Sequence, residues 1–345
     1  MLSVKKHGIL LEKTSNSFEN LGVFNPAVMQ EGNTVHLFYR AVRNGNFSTI
    51  GYCKLNGPLD VIERKKEPVF MPAIPEEFQG VEDPRISKID NIYYLTYSAY
   101  DGINVFGAYA TSNDLKTFER KGIVTPRVTF EEYSSLIRKN FKNIHSDHLM
   151  FYDQFVRYGL AGIMKTSIYV WDKNLMFFPK KINGKLALIH RLFPSIQILY
   201  FNHPSDLTEE FWKDYISNLQ KHIILTPKYK HEKSHIGGGC PPIETKEGWL
   251  FIYHAVEMTS EGYVYHACAA LLDLDNPTKL ISRLKTPLFS PTLEFEKKGY
   301  VSHVVFPTGT ALFADELFIY YGAADCKIAV ASVSLNDLLE MLTKK

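Results

Sequence analysis

The stretch TVHLFYRAV, Thr34–Val42, decides the reading of the fold. Four runs of the same kind follow it: NIYYLTYSAYDG from Asn91, KLALIHRLF from Lys185, GWLFIYHAVEM from Gly248 and ELFIYYGAADC from Glu316. Each follows a turn-forming or charged residue, is rich in aromatic and β-branched side chains, and ends on small or polar ones, as a strand does. With Tyr39, Tyr97, His190, Tyr253 and Tyr320 set in one column, the intervals are 58, 93, 63 and 67 residues. A second strand-like run trails each: IGYCKL, FGAYATS, IQILYFN, YHACAALLD and KIAVASVS. Five units of roughly 60 residues predict an all-β chain, a five-bladed β-propeller whose blades bury one face against the next. The quoted runs are read as inner strands, and 1–345 as one domain. Two packed β-sandwiches are the rival, and they do not require the recurrence.

The 93-residue interval holds an excess, read as a helical insertion over 126–165. Within it Thr129 and Glu132 have capping-box spacing, and Tyr133, Leu136, Ile137, Phe141 and Ile144 fall at helical intervals. A second helix is expected over Leu207 to His222. Helices outside a propeller cover either a blade edge or a partner subunit, so the insertion has two readings, core packing and a homo-oligomer contact.

Composition narrows the function classes. The 39 basic and 37 acidic residues nearly cancel, so no net field draws the chain to nucleic acid or an anionic membrane. A small, largely neutral ligand fits better. Aromatic residues reach 13%, which suits strands and also sugar binding, since a flat ring stacks on the apolar face of a pyranose. No apolar window reaches the ~20 residues of a membrane helix, and the first residues carry neither a signal-type apolar run nor a small-residue cleavage site. Cys53, Cys240, Cys268 and Cys326 are too dispersed for a CxxC site or a disulfide framework. A reduced, cytoplasmic protein without metal is the expectation.

Polar residues near equivalent strand ends should converge on the funnel of a propeller. The candidates are Asn25, Arg40, Glu82, Asp83, Arg85, Asp101, Lys173, Asn174, Arg191, His235, His254, Tyr265, His303 and Asp325. In GVEDPRI, Gly80–Ile86, Pro84 biases Asp83 toward an extended backbone, and neighbours on a strand face opposite sides, so Glu82 and Asp83 should not share one task. A plain polar turn explains the same residues. The glycines of HIGGGCPPIET allow close backbone approach to a ligand or serve a tight connection; no phosphate-loop pattern is present. His235, His254 and His303 lack metal-ligand spacing, and no GxSxG-type nucleophile motif occurs.

Taken together, FNPAV, FYRAV, GVEDPRI, FPKKINGKLALIHR, IGGGCPPIETKEGWLFIYHAV, YHACAALLDLDNPTKLISR and VVFPTGTAL followed by YYGAAD resemble glycoside hydrolase family 130. The resemblance spans nearly the whole chain. It implies a five-bladed propeller acting on β-mannosides, either as an inverting phosphorylase with inorganic phosphate as co-substrate and no cofactor, or as an inverting hydrolase. By motif position Asp83 is the general acid, protonating the glycosidic oxygen through a sugar hydroxyl. Lys173, Asn174, Arg191, His235 and Tyr265 would hold phosphate; Asn25, Arg40, His254 and Asp325 would contact the sugar; Arg85 would buttress Asp83. Two positions depart from the family pattern: lysine replaces the usual arginine at Lys173, and histidine replaces a lysine at His235, charged only if its pKa rises. The basic set favours phosphorolysis, releasing mannose 1-phosphate. A hydrolase would need a carboxylate base, for which the insertion offers Glu131, Glu132, Asp147 and Asp153. A non-catalytic sugar-binding propeller is the third reading.

Overall fold

A computed structural model describes residues 2–140 and 168–344. Among the described residues the chain is all-β with few helices, and its strands run as five antiparallel meanders. The first comprises Gly22–Glu31, Thr34–Arg43, Phe47–Asn56 and Asp60–Arg64. Gly80–Ile89, Ile92–Tyr100, Val105–Ser112 and Glu119–Ile123 make the second. The third is Asp172–Phe177, Leu186–Leu192, Ile196–Phe201 and Ile223–Leu225. The fourth runs His235–Gly238, Trp249–Thr259, Gly262–Leu272 and Leu280–Arg283, with Ile243–Glu244 beside its second strand. In the fifth, Val305–Phe313, Glu316–Ala323 and Lys327–Ser334 are completed by Lys5–Leu11, which pairs with Lys327–Ser334. A single parallel bridge, Ser48 to Gly80, links the first two meanders into one continuous sheet.

The recurrent runs are the second strand of each meander rather than the inner one. A first strand precedes each, and these first strands carry Asn25, Asp83, Lys173, Asn174 and His235, half of the ten candidate site residues. The first strands of meanders one and two, two and three, and three and four pack on one another, as do Val305–Phe313 and Gly22–Glu31, while Val305–Phe313 meets meander four through its second and third strands.

The recurring tyrosine has a structural cause. Tyr39 donates to the buried Glu19, which also pairs with Arg64 at 3.0 Å. The same triad recurs as Tyr97, Glu77 and Arg120 and as Tyr253, Glu232 and Arg283. In the fifth meander the triad is Tyr321, Glu296 and Lys6, so the equivalent residue there is Tyr321 rather than Tyr320. A buried carboxylate is tolerated only when a cation and hydrogen bonds replace its water. Each glutamate therefore pins a connecting segment to the second and outer strands of its meander. The third meander differs: His190 occupies the column, bonded through Nδ1 to Asp172 and through Nε2 to the Tyr215 hydroxyl.

Helix α1 is Phe130–Asn140 and α2 is Glu209–Ser217. The expected capping box forms: Thr129 Oγ1 accepts from Glu132 N, and Glu132 Oε2 accepts from Thr129 N. Phe141, Ile144, Asp147, Asp153 and most of the 126–165 insertion lie outside the described residues. Thr208 caps α2, which therefore starts two residues later than expected, and a 3-10 turn follows at Leu219–His222. Tyr133 and Ile137 of α1 and Trp212 and Ile216 of α2 share one apolar cluster with Phe177 and Leu188, so these faces are spent on the core. Two further helices, α3 (Glu294–Lys297) and α4 (Leu335–Thr343), pack near the fifth meander.

Candidate active site

The first strands of meanders one, two and three each break register at one place: between Phe24 and Ala27, Glu82 and Arg85, and Lys173 and Met176. At these bulges Asn25, Asp83 and Asn174 take positive φ of 51°, 50° and 57°. A left-handed residue inside a strand costs on the order of 1 kcal/mol and re-aims its side chain. All three side chains are turned into one space. The bulge also overturns the expectation that Glu82 and Asp83 face apart. Arg40 binds both, with Nη2 2.5 Å from Glu82 and Nη1 3.4 Å from Asp83. Alternation holds only for a regular strand, and Asp83 is not in one.

A cavity of about 200 Å³ is lined by Asn25, Arg40, Asp83, Lys173, Asn174, Arg191, His235, His254, Tyr265 and Asp325, together with Val301, Val304 and Phe306. All ten residues assigned site roles from sequence are thus brought together. Arg85 does not reach the cavity: fully buried, it donates to the Asp83 and Pro84 carbonyls and holds the bulge. Asp101 closes its own turn by accepting from Ile103 and Asn104, and His303 gives its carbonyl to Tyr265 N. Val301, Val304 and Phe306 were not foreseen; VVFPTGTAL was the available signal for two of them.

One side of the cavity is acidic and arginine-tied. Asn25 Nδ2 donates to Asp83 Oδ1 at 2.8 Å beside Arg40. The other side is cationic. Lys173 and Arg191 are direct cross-strand partners, and behind them Asp172 accepts from Arg191 N and bonds His190. The His190–Tyr215 bond and the Tyr215 hydroxyl's donation to Ile198 O fix this pair of strands to α2. Sequence reading missed that relay, because Asp172 and His190 stand beside the charged residues that drew attention.

The glycine run is the first strand of meander four. A Cβ on Gly237 would lie 2.4 Å from His254 Cε1 and 2.6 Å from Asn174 Oδ1, so glycine is needed for those side chains to occupy the wall. Asn25 Oδ1, Asn174 Oδ1 and His254 Nδ1 are buried without a partner among the described residues. Such atoms are costly unless a ligand or water meets them.

Burial pushes the Asp83 carboxyl upward, but Arg40, Arg85, Asn25 and Lys173 prevail and hold it below the usual aspartate value. Asp325 moves the other way: burial, then the charge of Asp83, raise it to about 7 against Arg40. Burial and mutual repulsion thus favour a shared proton between these two carboxyls, with Asp325 the one pushed toward the neutral form. Burial, with Arg191 and Lys173 near, holds His235 well below the ordinary imidazole value, so it is a neutral hydrogen-bonding group at pH 7 rather than a cation. Burial likewise depresses Lys173 and His254.

Asp83 and Asp325 around Arg40 share one cavity with the cations Lys173 and Arg191, and carboxyl groups gathered in a cavity are what glycoside-cleaving enzymes use for acid catalysis. The chain belongs to glycoside hydrolase family 130: the family model described as beta-1,4-mannooligosaccharide phosphorylase matches residues 10–344. A 1,2-beta-oligomannan phosphorylase of Thermoanaerobacter sp. (strain X514) is 32% identical over 342 residues, covering 96% of each chain. A beta-1,2-mannobiose phosphorylase of the same organism is 34% identical, covering 94% of each. Among solved structures, the beta-1,2-mannobiose phosphorylase of Listeria innocua in complex with beta-1,2-mannobiose superposes with a TM-score of 0.72 at 21% identity, covering 99% of both chains.

Proposed function

We propose that this protein is an inverting β-mannoside phosphorylase that transfers mannose to inorganic phosphate, releasing mannose 1-phosphate, with β-1,2-linked manno-oligosaccharides as its substrate class. The observation that carries the reading is the single cavity in which Asp83 stands with Lys173, Arg191, His235 and Tyr265. Membership of family 130 supports the reaction type, and the two similar phosphorylases over nearly the whole chain support the β-1,2 linkage. Inversion requires nucleophile and acid on opposite faces of the sugar. Phosphate enters between Lys173 and Arg191, with Tyr265, Asn174 and neutral His235 as hydrogen-bonding partners. Mannose lies over it, its hydroxyls read by Asn25, Arg40, His254 and Asp325. Asp83 acts as general acid through a sugar hydroxyl. A bound phosphate anion engages Lys173, one of the groups that depress Asp83, and adds negative charge to the cavity, and both effects raise the Asp83 carboxyl toward its protonated form.

The frame is a single five-bladed propeller with 126–165 inserted. Its support is a ring of hydrogen bonds between successive meanders: Ser48 N to Gln79 O, Ser87 Oγ to Phe177 O, Ile236 N to Pro194 O, Tyr265 N to His303 O, and Thr308 Oγ1 to Pro26 O. The last bond joins the fifth meander to the first.

The hydrolase reading needs a carboxylate among the cations, and among the described residues the cavity's carboxyls are Asp83 and Asp325, with Glu82 behind them on Arg40. Glu132 is committed to its helix cap and Glu131 is exposed. The deciding assay incubates β-1,2- and β-1,4-mannobiose with the protein, with and without phosphate. Phosphate-dependent mannose 1-phosphate from the β-1,2 substrate is expected; mannose release indifferent to phosphate would overturn phosphorolysis.

A further inference from the structure

A second depression, of about 230 Å³, adjoins the active-site cavity and shares two of its walls, Arg40 and Asp325. Its remaining lining includes Phe24, Asn46 and Tyr300. The guanidinium of Arg40 lies 5.0 Å from the Phe24 ring centre, so the floor is an aromatic face topped by a charge that already serves the catalytic carboxylates. Tyr300 is 69% exposed, high for so large a ring. Its backbone is nonetheless fixed. Val301 N donates to Ala324 O at 3.3 Å, and Gly299 lies so close that a Cβ there would come within 2.2 Å of the same oxygen. Val301 lines the active-site cavity while Tyr300 lines the depression, so this segment is the partition between them. On the far rim, Gln79 Nε2 donates to the Gly45 and Asn46 carbonyls and orders the hairpin that carries Asn46.

We propose that this depression is the subsite for the sugar on the leaving side of the scissile bond, and that Tyr300 is its specificity-determining platform. An anchored aromatic ring beside planar hydrogen-bonding groups is the combination that seats a pyranose: the ring covers its apolar face, and Arg40, Asp325 and Asn46 meet its hydroxyls. The side follows from the chemistry. Phosphate attacks from the Lys173 and Arg191 wall, so the leaving oxygen departs on the Asp83 and Arg40 wall, the one this depression continues. The inference rests on the phosphorolytic reading for that direction, but not for sugar binding itself.

Two measurements on full-length Tyr300→Ala and Tyr300→Phe test it. In the synthetic direction, with mannose 1-phosphate as donor and mannose as acceptor, Tyr300→Ala should raise the acceptor KM about 5–10-fold and leave the donor KM within about twofold, with Tyr300→Phe close to wild type. An unchanged acceptor KM, or donor and acceptor KM rising together, overturns the assignment. Calorimetric titration with β-1,2-mannobiose covers the case in which the wild type shows no phosphate-dependent turnover, which would sink the phosphorylase reading alone. There, several-fold weaker binding by Tyr300→Ala supports the subsite, and equal binding refutes it.

Discussion

Asp83 is held by three devices that each act on a different part of it: the bulge aims it, Arg85 grips its carbonyl, and Arg40 with Asn25 sets its charge. Asp83→Asn preserves these shapes and removes the proton donor. Phosphorolysis should fall by roughly 10²–10⁴-fold with little change in melting temperature, measured by mannose 1-phosphate release alongside thermal unfolding. Asp325 supplies a pH test. Its carboxyl stays protonated to about 7, above its ordinary value of 3.8, so the folded chain binds the extra proton between those limits. Stability is therefore lost as pH rises through that window. Asp325→Asn should be more stable than wild type by roughly 1–3 kcal/mol at pH 8 and equal to it near pH 4, read from denaturant unfolding at both values. At the cationic wall, Lys173→Ala should raise the phosphate KM by roughly tenfold or more while changing the mannoside KM little, since one charge-assisted bond contributes about 1.5–3 kcal/mol.

At the scale of elements, the meanders are tied by buried glutamates that no strand pattern announces. Glu77 accepts from Tyr97, pairs with Arg120 and caps Ala73 N. Glu77→Ala leaves a buried phenol and a cation unpaired, and should destabilise the fold by about 3–5 kcal/mol in chemical denaturation. The tyrosines were legible because the second strands are regular; the glutamates were not, because they lie in connecting segments of varying length. Gly237 shows the same limit from the other side. Its place in a run of three glycines was plain, but only the packing of His254 and Asn174 against its Cα explains it. Gly237→Ala should impair phosphate use as well as stability, because the methyl displaces two side chains of the site.

Over the whole molecule, the contact between the first and fifth meanders depends on residues far apart in sequence. Lys5–Leu11 completes the fifth meander, Lys6 pairs with Glu296, and Gln30 exchanges two hydrogen bonds with Leu312 across the seam between meanders one and five. Removing residues 1–11 should lower the melting temperature of the whole chain in one transition, because an open edge loosens both flanking meanders; a separate low-temperature step confined to the fifth would contradict this. The amino-acid sequence by itself determined the all-β class, the five-fold recurrence and the residue types of the site, since strand periodicity and motif chemistry are local. Tertiary structure alone decided that Glu82 and Asp83 share an arginine, that burial and nearby cations depress His235, and that burial and Asp83 raise Asp325. Those facts depend on a bulge, on burial and on charges contributed by different meanders, which meet in space at distances that no interval along the chain encodes.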